Sequence, residues 1–264
     1  MAWQIDEEIL QHYGLGEEQD RLLRHRVEMI RTQELLSRYL PPPPAAVLDV
    51  GGGPGRYSAW LAGLGYDVVL LDPVPLHVEQ AAALGGFEAR SGDARALAES
   101  DASVDVVLLM GPLYHLVERS ERVQAWREAA RVVRPGGLVA AALISRFAAV
   151  LDGTFREFSL EPGFRQLADR AADTGVLAAG APDHPFTTAY FHHPDEAAGE
   201  VGDAGLELVG VFGIEGPGEW MPDRDERVVD DDRLELLLAL ARRLEQEPSA
   251  IGTSPHLLVV ARRS

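Results

Sequence analysis

The sequence contains no cysteine, no lysine and no asparagine. Without cysteine there is no disulfide, no thiolate zinc site and no cysteine nucleophile. Without lysine there is no Schiff-base chemistry, and without asparagine no oxyanion donor of that type. All 24 basic residues are therefore arginines, a usage that fits a GC-rich genome. They face 42 acidic residues, for a formal net charge of -18. Such a charge repels phosphate backbones, and no dense arginine run offsets it, so nucleic acid is disfavoured as a partner. No run of about eighteen apolar residues occurs, so no membrane span is expected. The opening MAWQIDEEIL is acidic and lacks the basic region of a secretory signal, so the expectation is a cytoplasmic protein.

What is present suits one sizeable core. The 264 residues are 46% hydrophobic, enough for a large domain or a domain with a cap. Residues 17–40 carry Leu22, Leu23, Val27, Ile30 and Leu35 at helical spacing, and Pro41–Pro44 end that helix. From there strand-like and helix-like stretches alternate: AVLDV, GRYSAWLAGLG, DVVLLD, VPLHVEQAAALG, FEARS, VDVVLLMG, SERVQAWREAARVV and GLVAAALIS. Continuous apolar strands alternating with helices imply a parallel sheet covered on both faces. The alternation breaks at residues 146–185, which read as mostly helical. It resumes with a helix from Pro194, the strand LELVGVFGI, a helix over 233–246 and the strand HLLVVARR.

The stretch Val47–Asp72 carries the most specific signal. A strand feeds a glycine turn, a helix follows, and the next strand ends on an acid. A dinucleotide loop needs G-x-G-x-x-G, but the third glycine would fall on Arg56 or Ser58, so that pattern fails. The pattern present is Asp49-x-Gly51-x-Gly53-x-Gly55.

This pattern resembles the loop of class I S-adenosylmethionine-dependent methyltransferases, and residues 45–145 follow that family in order. Asp72 ends the second strand, GDA (Gly92–Ala94) follows the third, LLMG (Leu108–Gly111) ends the fourth, and VVRPGG precedes the fifth. The resemblance implies an α/β, doubly wound Rossmann-like fold with a seven-stranded, mostly parallel sheet. Residues 1–40 would form a helical lid, 41–145 and 195–264 the cofactor domain, and 146–194 an inserted helical cap that recognises substrate. The cofactor implied is S-adenosyl-L-methionine. Its site would use Asp49, Gly51, Gly53, Gly55, Asp72, Pro73, Asp93, Ala94, Met110 and Gly111. Asp72 would accept the ribose hydroxyls and Asp93 would face the adenine amino group. Asp49 serves equally well as a brace for the loop amides. Tyr13 and Arg21 are placed on the lid, where an arginine suits the cofactor carboxylate.

For the reaction, Tyr114 and His115 are the candidates on the loop after the fourth strand, and His192 is a second candidate base. Tyr190 and His193 are assigned to the substrate pocket. One histidine of the 192–193 pair reads alternatively as the cap of the Pro194 helix. His192, His193 and His184 are not read as metal ligands, because adjacent histidines point apart in an extended segment. No metal is expected. Gly111-Pro112-Leu113-Tyr114 lacks the Asn/Asp-Pro-Pro-aromatic motif of nucleic-acid amino methyltransferases. The function expected is in-line methyl transfer to a small molecule by a monomer or homodimer. The alternatives are non-methyl chemistry such as cyclisation, or a non-catalytic cofactor-binding protein.

Overall fold

In the computed structural model, the described residues are 13, 21–178, 187–221 and 230–264, without the side chains of Leu23 and Arg24. The buried apolar runs become strands β1 (Ala46–Val50), β2 (Asp67–Asp72), β3 (Glu88–Ser91), β4 (Val104–Leu109) and β5 (Val133–Ser145). All pair in parallel, in the order β3-β2-β1-β4-β5. Beyond β5 the sheet continues through strands from the far end of the chain, His256–Arg263 and then Leu206–Gly213, both antiparallel to their neighbours. The chain winds outwards from β1 in one direction, then crosses back to β4. The resulting crevice at the carboxyl ends of β1 and β4 is where such sheets bind ligands.

Alternation along each strand separates two apolar layers. Leu48, Val107, Val139 and Val259 face Trp126, Ala129, Ala197 and Val201. Val47, Val106, Leu108 and Val260 face Leu35, Leu36, Leu61 and Phe212. The covering helices are α2 (Arg26–Ser37), α3 (Arg56–Gly63), α5 (Arg119–Val132) and α8 (Pro194–Asp203), with α4 (Pro75–Leu84) following β2. The helix expected over 17–40 is interrupted: a four-residue α1 (Arg21–Arg24) and α2 meet at His25, whose φ and ψ of -96° and 63° are not helical.

The strand count differs from the seven expected: the described residues form nine strands. The two extra strands, β6 (Val176–Leu177) and β7 (Ala189–His192), lie in the segment read as helical cap. Strand β5 causes this. Its last pair with β4 joins Leu109 and Ala141, and β7 takes the open edge beyond through Ile144–Phe191 and Ser145–His192. The rest of the segment is helical, with α6 (Ala148–Phe155) and α7 (Pro162–Thr174). It has its own apolar cluster of Ala148, Phe164, Ala171, Leu177 and Phe191. In chain order Leu206–Gly213 is β8, Asp231–Leu244 is α9 and His256–Arg263 is β9. Among the described residues no helix is long and apolar enough to cross a membrane.

Candidate active site

The glycine turn begins where β1 stops. Gly51, Gly53 and Gly55 have φ of +69°, +56° and +86°, conformations that favour glycine. Gly51 donates to the Leu71 carbonyl at 2.7 Å, tying the turn to β2. A Cβ on Gly53 would meet nothing within 4 Å, so this residue opens onto free space. Gly55 points the other way, where a Cβ would stand 2.9 Å from Phe87 and 3.0 Å from Ala81.

Asp49 lies beneath the turn. It is fully buried and accepts from Ser58 Oγ at 2.7 Å. Burial, aided by the charge of Asp72, pushes its carboxyl up to about 6.

A cavity of about 570 Å³ opens at the carboxyl ends of β1 to β4. Of the residues singled out from the sequence, Gly51, Gly53, Asp72, Pro73, Asp93, Ala94, Met110, Gly111, Tyr114 and His115 line it, as do Tyr13 and Arg21. Asp49 and Gly55 do not. Asp72 is braced by the backbone: Oδ2 accepts from Gly53 N–H and Oδ1 from Val74 N–H, both at 2.9 Å. Its Oδ1 also lies 3.1 Å from His77 Nδ1. Asp93 is held by Arg95, whose Nε and Nη2 donate at 3.0 and 2.7 Å, while Nη1 donates to Glu121. Arg21 grips Glu28 with two hydrogen bonds of 2.7 and 2.9 Å. Burial alone would raise Glu28; the charges of Arg21 and His256 bring it instead to about 2.

Over the loop after β4 stands a cluster of rings. The Tyr13 hydroxyl is 2.9 Å from His115 Nε2, and the Tyr13 ring meets the edges of both His115 and His77. Tyr114 packs on His115 with centroids 4.7 Å apart and also touches the apolar cluster of the 146–194 segment.

Tyr190, His192 and His193 are not part of this cavity, in contrast to the sequence-based expectation. Strand alternation sends His192 into the protein, fully buried, 3.5 Å from Glu200. Glu200 in turn pairs with buried Arg122 at 2.8 Å. Burial holds His192 below its ordinary pKa, against the pull of Glu200. Tyr190 lies under the Arg122 guanidinium, 3.5 Å from its ring centre, and bonds Glu196. His193 caps α8: its Nδ1 accepts from Asp195 N–H, and Glu196 accepts from His193 N–H. His184 lies outside the described residues.

Away from the cavity mouth, Glu28, Glu215 and His256 bring their donor atoms within 4.8 Å of one another. Arg21 holds both oxygens of Glu28, and His256 Nδ1 lies 2.5 Å from Glu215, so these groups form a charge-paired network. His77 is one of the cavity residues that the sequence pattern conceals, since it reads as part of a helical run. The available signal was its place in the first turn of the helix after the acid-terminated strand.

Comparison with known proteins gives the same picture. Residues 47–137 match a family model described as a methyltransferase domain. A ubiquinone biosynthesis O-methyltransferase of Methylobacterium nodulans is 34% identical over 200 residues, 72% of this chain and 72% of that protein. An uncharacterized methyltransferase of Mycobacterium tuberculosis is 37% identical over 105 residues, 39% of this chain and 42% of that one. An S-adenosylmethionine-dependent methyltransferase of Methanosarcina mazei shares the fold, with a TM-score of 0.60 at 17% identity, covering 87% of this chain and 96% of that one. The glycine turn, the strand order and these relatives agree: the chain belongs to the class I S-adenosylmethionine-dependent methyltransferases.

Proposed function

We propose that this methyltransferase acts on a hydroxyl oxygen of a small molecule by in-line transfer. The cavity suits the cofactor on two counts: Gly53 leaves open space at the turn, and His77, which lines the cavity, has a buried Nε2 with no hydrogen-bond partner among the described residues. Asp72 with Gly51, Gly53 and Pro73 would hold the nucleoside and backbone, and Asp93 with Ala94 the base. Met110 and Gly111 would flank it. Arg21 lines the cavity, and its guanidinium is the candidate for the cofactor carboxylate. S-adenosylmethionine, when bound, supplies a methyl group already activated on a sulfonium.

The chain's own residues then have two tasks. The first is alignment, which carries most of the rate. The second is removal of the acceptor's proton. The observation that carries this reading is the Tyr13 hydroxyl 2.9 Å from His115 Nε2, between two residues that line the cavity. His115 would take the proton, and Tyr13 would orient the ring. Residues 1–40 would act as a lid and 146–194 as the acceptor-recognising segment around a core of 41–145 and 195–264. Contact of Tyr114 with both the cavity and the cluster in 146–194 supports that division. The printed name of the Methylobacterium relative supports oxygen as the acceptor atom.

The test is incubation of purified protein with methyl-labelled S-adenosylmethionine and a panel of phenols, catechols and amines. Mass spectrometry would read S-adenosylhomocysteine and the labelled product together. Label on a phenolic oxygen supports the proposal. Label only on amines, or cofactor consumption without S-adenosylhomocysteine, would contradict it.

A further inference from the structure

We infer that His77 is a ribose-binding residue, which together with Asp72 reads the vicinal diol of the cofactor nucleoside. The inference rests on the cofactor assignment and adds a ligand to it. His77 is 3% exposed, yet it lines the cavity. Its Nδ1 lies 3.1 Å from Asp72 Oδ1. An ionised carboxylate only accepts, so Nδ1 carries the proton and donates. In the neutral ring Nε2 then presents a lone pair. That nitrogen is buried and has no hydrogen-bond partner among the described residues. A buried polar atom left unpaired is destabilising, and a native structure keeps one only for a reason.

Counting acceptors supplies the reason. A carboxylate offers about four lone-pair sites. On Asp72, Oδ1 accepts from Val74 N–H and His77 Nδ1–H, and Oδ2 accepts from Gly53 N–H. One site remains on Oδ2. A ribose diol brings two hydroxyl donors, so Asp72 alone leaves one of them unmatched. His77 Nε2 is a second acceptor, on a ring that lines the same cavity as Asp72 and is fixed by its bond to it. The Tyr13 ring, with its centroid 5.2 Å from that of His77, holds the imidazole from the lid side.

The experiment is calorimetric titration of the full chain with S-adenosylhomocysteine and its 2′-deoxy and 3′-deoxy analogues. Three proteins are compared: wild type, His77→Asn and His77→Gln. An asparagine amide reaches the Nδ1 position and keeps the bond to Asp72, but offers nothing at Nε2. A glutamine amide reaches the Nε2 position. In the wild type, one deoxy analogue is expected to bind about tenfold more weakly than S-adenosylhomocysteine, the worth of one hydrogen bond. His77→Asn is expected to lose about tenfold for S-adenosylhomocysteine and to abolish that difference, while His77→Gln keeps most of it. Unchanged affinity in His77→Asn, or a full deoxy penalty persisting there, would overturn the inference. Should His77→Asn fail to fold, the imidazole nitrogen resonances of the wild type decide. S-adenosylhomocysteine should shift Nε2 and leave Nδ1 protonated; an unmoved Nε2 would overturn the inference. Absence of any binding by the wild type would instead defeat the cofactor assignment.

Discussion

The Tyr13 hydroxyl and His115 Nε2 lie 2.9 Å apart although 102 positions separate them in the chain. The contact joins the N-terminal segment to the loop that follows β4, over the cavity of the glycine turn. It sets what substitution should do there. His115→Ala should lower kcat by about a hundredfold or more, within the range of a lost general base. Tyr13→Phe keeps the ring packing and removes the hydroxyl, so it should cost about tenfold, the worth of one hydrogen bond. Cofactor affinity in His115→Ala should stay near the wild-type value. Single-turnover kinetics beside calorimetry would separate the two effects. Full activity in both variants would mean that alignment alone carries the reaction.

Asp49 gives a pH dependence of defined sign. Its carboxyl rises from 3.8 to about 6 on folding, chiefly through burial. The folded state therefore holds the proton more tightly than the unfolded chain. This contribution to stability is fully present below about pH 3.8 and is lost as pH rises through about 6. Its full size is roughly 3 kcal/mol. Asp49→Asn keeps a neutral acceptor for Ser58 and should remove the effect. Denaturant unfolding of both proteins between pH 4 and pH 8, spanning roughly that window, should show the variant gaining on the wild type as pH rises. A constant difference across that range would contradict the account.

His192 and Glu200 lie in a buried charge network with Arg122, outside the cavity lining. Arg122 is buried, pairs with Glu200, and donates to the carbonyls of Leu116 and Val117 at 2.9 and 2.6 Å. Glu200→Ala would leave that guanidinium without its counter-charge, at a cost of roughly 3–5 kcal/mol. His192 has the opposite pH sign to Asp49. Its lowered pKa gives stability that is present above pH 6.5 and lost as pH falls through the folded value. His192→Phe should flatten that acid limb in thermal unfolding and leave the affinity for S-adenosylhomocysteine intact. A large loss of affinity in His192→Phe would place this histidine in the site after all.

Much of the sheet was legible because its strands are short apolar runs bounded by glycine, proline or aspartate. AVLDV, DVVLLD and HLLVVARR became β1, β2 and β9 with matching ends. Strand β7 was not legible, since it exists only because β5 outruns β4 and leaves an open edge. Local order also made the glycine turn and Asp72 readable, for strand, turn and helix are contiguous there. The adjacent histidines misled for the complementary reason. Their neighbourhood depends on the direction of β7, which buries His192 and leaves His193 to cap a helix. Tyr13 and His115 each stand out from local pattern, but their contact is a product of the fold.

The most direct test of the central claim is titration of the wild type and Asp72→Ala with S-adenosylmethionine, with NAD as the control. The wild type should bind one equivalent at micromolar affinity and should not bind NAD. Asp72→Ala should bind at least about tenfold more weakly, because Asp72 positions Gly53, Val74 and His77 as well as facing the cavity. Binding of NAD, or undiminished affinity in Asp72→Ala, would contradict it.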